Sequence, residues 1–173
     1  MPWNNGPLTV YHGCDDSSAS SIAQLGIQLR HCKPRTDFGV GFYTTTNLHQ
    51  AKNWANDRVT TLNTSGGRNV ATVLSFAIDR GLLGVCLSLS FVTEGSAPIS
   101  DFWDLIRHCR HGGVHFPALG KNYDVVFGPV SLWPQTLLIK DCDQISFHTI
   151  TGTNLLGPVL GTEIPNNSAA CFP

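Results

Sequence analysis

Two segments carry residue types that could meet over one cleft: Tyr11-His12-Gly13, and the aromatic run Asp37-Phe38-Gly39-Val40-Gly41-Phe42-Tyr43-Thr44-Thr45. An imidazole at one strand end can bind hydroxyls, and a tyrosine ring on another strand can stack on a cationic ring. Taken singly, each has an ordinary packing role. His108, Cys109, His111 and His115 are dense enough to suggest a metal centre. However, Gly112-Gly113 ends the helix before His115, and no zinc spacing is completed. No metal is expected, and histidines beside Arg107 and Arg110 suit a helix C-terminus. Cys14, two residues from His12 on one strand face, could be a thiol nucleophile, but no oxyanion motif follows it. Gly39-Val40-Gly41 lacks the third glycine and the leading strand of a dinucleotide fingerprint. A mechanism that needs a glutamate has only Glu94 and Glu163 to draw on. Glu94 falls in a loop before Pro98 and Glu163 in an irregular tail.

The elements that must position these groups follow from patterning. Residues 8–11 read as a strand and 17–25 as a helix with Ser/Asp caps and Gly26 past its end. A loop containing Lys33-Pro34-Arg35 leads to a glycine-flexed turn and strand over 37–45. Asn47 caps a helix from Leu48 to about Val59, with Leu48, Ala51, Ala55 and Val59 on one face. Residues 63–67 form a loop, 70–78 an alternating strand, and 82–92 a further strand. An amphipathic helix over 101–110 is stopped by Gly112-Gly113. The last strands are 123–130, broken by Gly128-Pro129, and 144–149, reached through 137–139 and an acidic turn at 141–143. From Gly152 onward periodicity is weak, and an irregular, partly disordered tail over 151–173 is expected.

With 173 residues, 42% apolar and 13% charged, the chain suits one α+β domain, residues 1–173, with its core at about 8–150. A net charge of −1 supplies no field to hold a phosphate backbone or an anionic membrane. There is no apolar run long enough to span a bilayer, and residues 1–7 lack the features of a signal peptide. A cytoplasmic monomer is expected, with its six scattered cysteines reduced.

Tyr-His-Gly, then Gly-Phe-Tyr-Thr-Thr, then Trp54 resembles the NAD-binding core of the ADP-ribosyltransferase superfamily. The likeness is to its diphtheria-toxin and poly(ADP-ribose) polymerase branch, whose signature is His-Tyr-Glu. It extends to Phe102-Trp103-Asp104-Leu105-Ile106 with Arg110, to residues 123–130 and to residues 144–149. These segments look like a little-characterised bacterial and fungal family of that superfamily.

The resemblance implies a split, mainly antiparallel pair of sheets with NAD as co-substrate in the cleft between them. The implied activity releases nicotinamide and transfers ADP-ribose to an unknown acceptor: protein, nucleic acid, small molecule or water. His12, Tyr43 and Gln144 would form the triad. His12 would bind a ribose hydroxyl, the Gly13 backbone the carboxamide, and Tyr43 the nicotinamide ring. Tyr11, Arg35, Phe42, Thr44 and Trp54 would complete the pocket, Trp54 either stacking on the ring or filling the core. Gln144 departs from the branch's Glu: it can orient a hydroxyl but offers neither full charge nor a base. It can equally be structural, pairing with backbone at a strand end. An NAD glycohydrolase and a catalytically silent NAD- or ADP-ribose-binding module are the alternatives.

Overall fold

Strand β1 (Leu8–Asp15) runs through His12-Gly13 rather than ending before it, because each of its residues faces one of β3 (Ala71–Ile78) in an antiparallel register. Asp15 closes the strand and starts α1 (Asp16–Leu25), its carboxylate accepting from Ser18 N. The computed structural model describes residues 6–91 and 100–165. Strand β2 (Phe42–Thr44) precedes α2 (Leu48–Asn63), which Asn47 caps by accepting from His49 N and Gln50 N. The helix runs to Asn63, one turn beyond the expected end.

The segment expected as a strand over 82–92 is a helical turn, α3 (Arg80–Leu83), followed by the short β4 (Ser88–Ser90); Val92 lies outside the described residues. Asp79 accepts from Gly81 N and Leu82 N, and this local cap overrides the apolar pattern. Helix α4 (Ser100–Arg110) and β5 (Val125–Ser131) fall close to expectation. The acidic turn does not: Asp141-Cys142-Asp143 lies inside one strand, β6 (Leu138–Phe147), with Asp141 taking up the bend at φ 57°.

Residues after Thr149 form α5 (Ile150–Thr153) and β7 (Gly161–Glu163), with Leu155 and Leu156 buried in the core between them. The expected irregular tail is therefore structured through residue 163, and 166–173 lie outside the described residues. Its periodicity is weak because the pieces are short: α5 packs close to Asp124, Leu155 and Leu156 enter the core, and β7 pairs with β3.

The architecture is α+β with two sheets and flanking helices. One sheet has the order β1-β3-β7, all antiparallel. The other has the order β2-β6-β5-β4, antiparallel except for β4 against β5. Val10, Cys14, Leu74, Phe76 and Ile78 of the first sheet pack with Phe42, Val125, Ile145 and Phe147 of the second. Alternation then sends Tyr43, Val126, Gln144 and Ser146 to the opposite face of the second sheet. There Phe38, Phe91 and α4 residues Phe102 and Ile106 pack on Val126. Helix α2 covers the first sheet through Ala51 and Ala55 against Ala71 and Val73. Among the described residues no helix is long and apolar enough to cross a membrane.

Candidate functional site

Among the described residues the two sheets are joined by one backbone bridge, Tyr11 to Thr45, and part beyond it. Tyr11 N donates to Thr45 O at 2.8 Å, and Thr45 N donates back to Tyr11 O at 2.9 Å. A continued ladder would next pair Gly13 with Tyr43. Instead the His12 side chain intervenes, its Nδ1 2.7 Å from the Tyr43 carbonyl oxygen. A carbonyl only accepts, so Nδ1 carries the hydrogen and Nε2 keeps its lone pair. The imidazole lies against the Phe42 ring, centroids 4.3 Å apart. Burial, assisted by the positive charge of Arg58, pushes its pKa down to about 4, against the opposing bond to Tyr43. His12 is neutral near pH 7.

The same intrusion frees Gly13. Along an antiparallel strand, N–H and C=O groups of successive residues point to alternate edges. Tyr11 uses the edge facing β2, so Gly13 uses it too. Ser75 O accepts from Leu160 N on the β7 side, so by the same alternation Val73, the residue opposite Gly13, turns toward β7 and away from Gly13. Gly13 thus presents one donor and one acceptor where the sheets separate. A Cβ here would sit 2.2 Å from Ala51 O, so the glycine is required by the close approach of α2.

Tyr43 projects from the other face of β2. Its hydroxyl accepts from Phe38 N at 2.9 Å, donates to Gly39 O at 2.9 Å and lies 2.8 Å from Thr36 Oγ1. The phenol is therefore the anchor of the turn that precedes its own strand, and burial pushes its pKa up. Two histidines hold the same turn. His148 Nδ1 is 2.7 Å from Val40 O with Nε2 on Ser146 Oγ, and His115 Nε2 is 2.8 Å from Phe38 O while Nδ1 accepts from Tyr123 N.

Gln144 shares the face of Tyr43, a diagonal step away across β2 and β6, since Tyr43 lies opposite Ser146. It is buried, and Nε2 donates at 2.8 Å to both Asp37 Oδ2 and the Pro129 carbonyl. Asp37, only 3% exposed, is a residue that sequence reasoning passed over as part of a site. It also accepts from Arg110 Nε and Nη2 (3.0 and 2.5 Å) and from Ser131 N and Oγ (2.9 and 2.7 Å). The available signal was an acid placed directly before the Phe38-Gly39-Val40-Gly41 turn. Ser131 and Gln144 converge on it only through sheet register.

The remaining expected pocket residues divide. Phe42 is core, supporting His12 from beneath and meeting Phe76 edge-on. Thr44 is buried with Oγ1 on Ile145 O, and Tyr11 packs against the α2 face. Arg35 has an exposed side chain and φ 59°, and it meets the network through its carbonyl, which accepts from Arg110 Nη1. Trp54 is 53% exposed on α2, which rules out the core-filling alternative. Cys14 is buried, and desolvation raises its thiol to about 12, so it is protonated at neutral pH. His108 Nε2 and His111 Nδ1 lie against the Val114 and Arg107 carbonyls. Glu163 sits in β7, separated from the split by β3, and pairs with Lys52 at 2.5 Å.

Residues 8–132 match a family model described as a protein of unknown function, DUF3990. The chain belongs to the DUF3990 family. The matched span holds His12, Gly13, Asp37, Tyr43, Arg110 and Ser131, whereas Gln144 lies beyond the DUF3990 match. Neither a curated protein nor a solved structure matches the chain.

Proposed function

We propose that the chain is an NAD-dependent ADP-ribosyltransferase that breaks the bond between nicotinamide and ribose and passes ADP-ribose to an acceptor. The observation that carries the reading is the donor and acceptor pair of Gly13, released where His12 caps the Tyr43 carbonyl. A primary carboxamide offers the complementary acceptor and donor, so nicotinamide can dock there by two backbone bonds, with Tyr43 on the neighbouring strand. His12 keeps Nε2 free to accept from a ribose hydroxyl, and Gln144 offers a second polar group. Cleavage sends the bonding pair to the pyridinium nitrogen, giving neutral nicotinamide, while positive charge grows at C1′. Fixed dipoles from His12 and Gln144 toward the ribose would stabilise that charge.

One observation favours water as acceptor, an NAD glycohydrolase, as the second reading. Asp37, the carboxylate bonded to Gln144, already accepts five hydrogen bonds and pairs with Arg110, so it is poorly placed to deprotonate a nucleophile. Water can trap a developing cation and lose its proton to solvent afterwards.

The deciding experiment incubates purified protein with radiolabelled NAD, alone and with lysate. Nicotinamide with a labelled acceptor supports transfer, and nicotinamide with free ADP-ribose supports hydrolysis. Calorimetric binding without cleavage would leave a silent module, and neither binding nor release would refute the NAD reading.

A further inference from the structure

We propose that Asp37 is a positioning residue that locks the Gln144 amide with its oxygen outward, so that a neutral side chain serves as hydrogen-bond acceptor for a ribose hydroxyl of NAD. The role in catalysis rests on the reading given above.

A glutamine amide can turn about its last torsion and present either its NH2 group or its oxygen to a ligand. At position 144 the choice is closed. The two groups within 2.8 Å of Nε2 are the Asp37 carboxylate and the Pro129 carbonyl, and both are acceptors. Turning the amide over would set its oxygen against two other oxygens in a buried site, with both donors unmatched. Both N–H bonds are therefore spent on the protein. Oε1 has no partner among the described residues and is not among the enclosed, unpartnered side-chain atoms found there, which are those of Asn53 and Asn56, and the Gln144 residue keeps 8% of its surface exposed.

Asp37 can impose this because four other donor contacts hold its carboxylate. Oδ1 accepts from Arg110 Nε and Nη2 and from Ser131 Oγ, and Oδ2 accepts from Ser131 N as well as from Gln144. Arg110 is held in turn by the Arg35 carbonyl at 3.1 Å. The carboxylate also polarises the amide it holds, which strengthens Oε1 as an acceptor. The chain thus supplies from Asp37, through Gln144, part of what a carboxylate at position 144 would supply directly.

The test compares wild type with Asp37→Asn, which keeps size but puts an NH2 group into the network and lets the Gln144 amide turn. The proposal expects kcat for nicotinamide release to fall by about 10²-fold while KM for NAD stays within about threefold. It also expects the Gln144 side-chain NH2 of the wild type, assigned by its loss in Gln144→Ala, to exchange slowly with solvent. A folded Asp37→Asn protein with wild-type kcat would overturn the proposal while leaving the NAD reading intact. Fast exchange of that NH2 in the wild type would also overturn it, even if Asp37→Asn does not fold. A wild type that neither binds nor cleaves NAD would overturn the NAD reading and this proposal with it.

Discussion

Substitution can separate the structural role of Tyr43 from the one that the proposed function gives it. Its hydroxyl ties down the 36–39 turn, while its ring is what a nicotinamide would meet. Tyr43→Phe leaves Phe38 N–H without its acceptor, so urea denaturation is expected to show a loss of about 1–3 kcal/mol, with NAD affinity nearly unchanged. Tyr43→Ala should lose a further ~1 kcal/mol of NAD binding by calorimetry. Equal NAD affinity in all three proteins would remove the ring from the site. Gln144→Glu restores the residue of the resembled motif but sets a second carboxyl 2.8 Å from Asp37 Oδ2. Two acids at that distance cannot both ionise, so the introduced carboxyl is expected to hold its proton well above the ordinary carboxyl range. A folded-state pKa above the unfolded one means that the variant approaches wild-type stability below pH ~4. The deficit should then grow as pH rises, and melts between pH 4 and 8 should diverge from wild type in that order. A constant difference across the range would mean that the two carboxyls do not meet.

At the scale of elements, the segment joining residue 36 to β2 is built around neutral imidazoles. His148 uses both ring nitrogens, on Val40 O and Ser146 Oγ, and burial lowers its pKa to about 4. His115 is lowered by burial as well, and its Nδ1 accepts from Tyr123 N, which a proton there would forbid. Because these folded-state values lie below the unfolded value of 6.5, the unfolded chain binds more protons as pH falls. The stabilising effect is complete above pH ~6.5 and is lost between that point and pH ~4. For His148 the loss is on the order of 3 kcal/mol, at ~1.4 kcal/mol per unit of lowering. Urea midpoints should be flat above neutrality and fall steadily from pH ~6.5, and a profile unchanged down to pH 5 would contradict this arrangement. His148→Asn should flatten part of the slope at a cost in stability near neutrality.

Across the whole molecule, the C-terminal segment closes the core. Leu155 and Leu156 pack with Ile78 and Phe147, and β7 adds a third strand to the first sheet. Leu156→Ala is expected to lower stability by about 2–4 kcal/mol in denaturant titration, whereas substitution of exposed Leu160 should change it by less than about 0.5 kcal/mol. Equal effects at the two positions would mean that residues 150–163 do not share the core.

What the sequence determined by itself is local. The cap at Asn47, the helix of residues 101–110 and the β-prone runs other than 82–92 are legible because caps, periodicity and turn residues act within a few positions. The tertiary structure decided which of those residues face each other. Ser131 and Gln144 lie 94 and 107 positions from Asp37, yet they meet it because β5 and β6 pair with a register shift between Pro129 and Ser131 and the 36–41 turn folds over them. No pattern within a short window carries that register, since it depends on strands that find each other through the core. The freed edge of Gly13 has the same origin: its glycine is visible in the sequence, but the edge it turns outward depends on where Tyr11 meets Thr45.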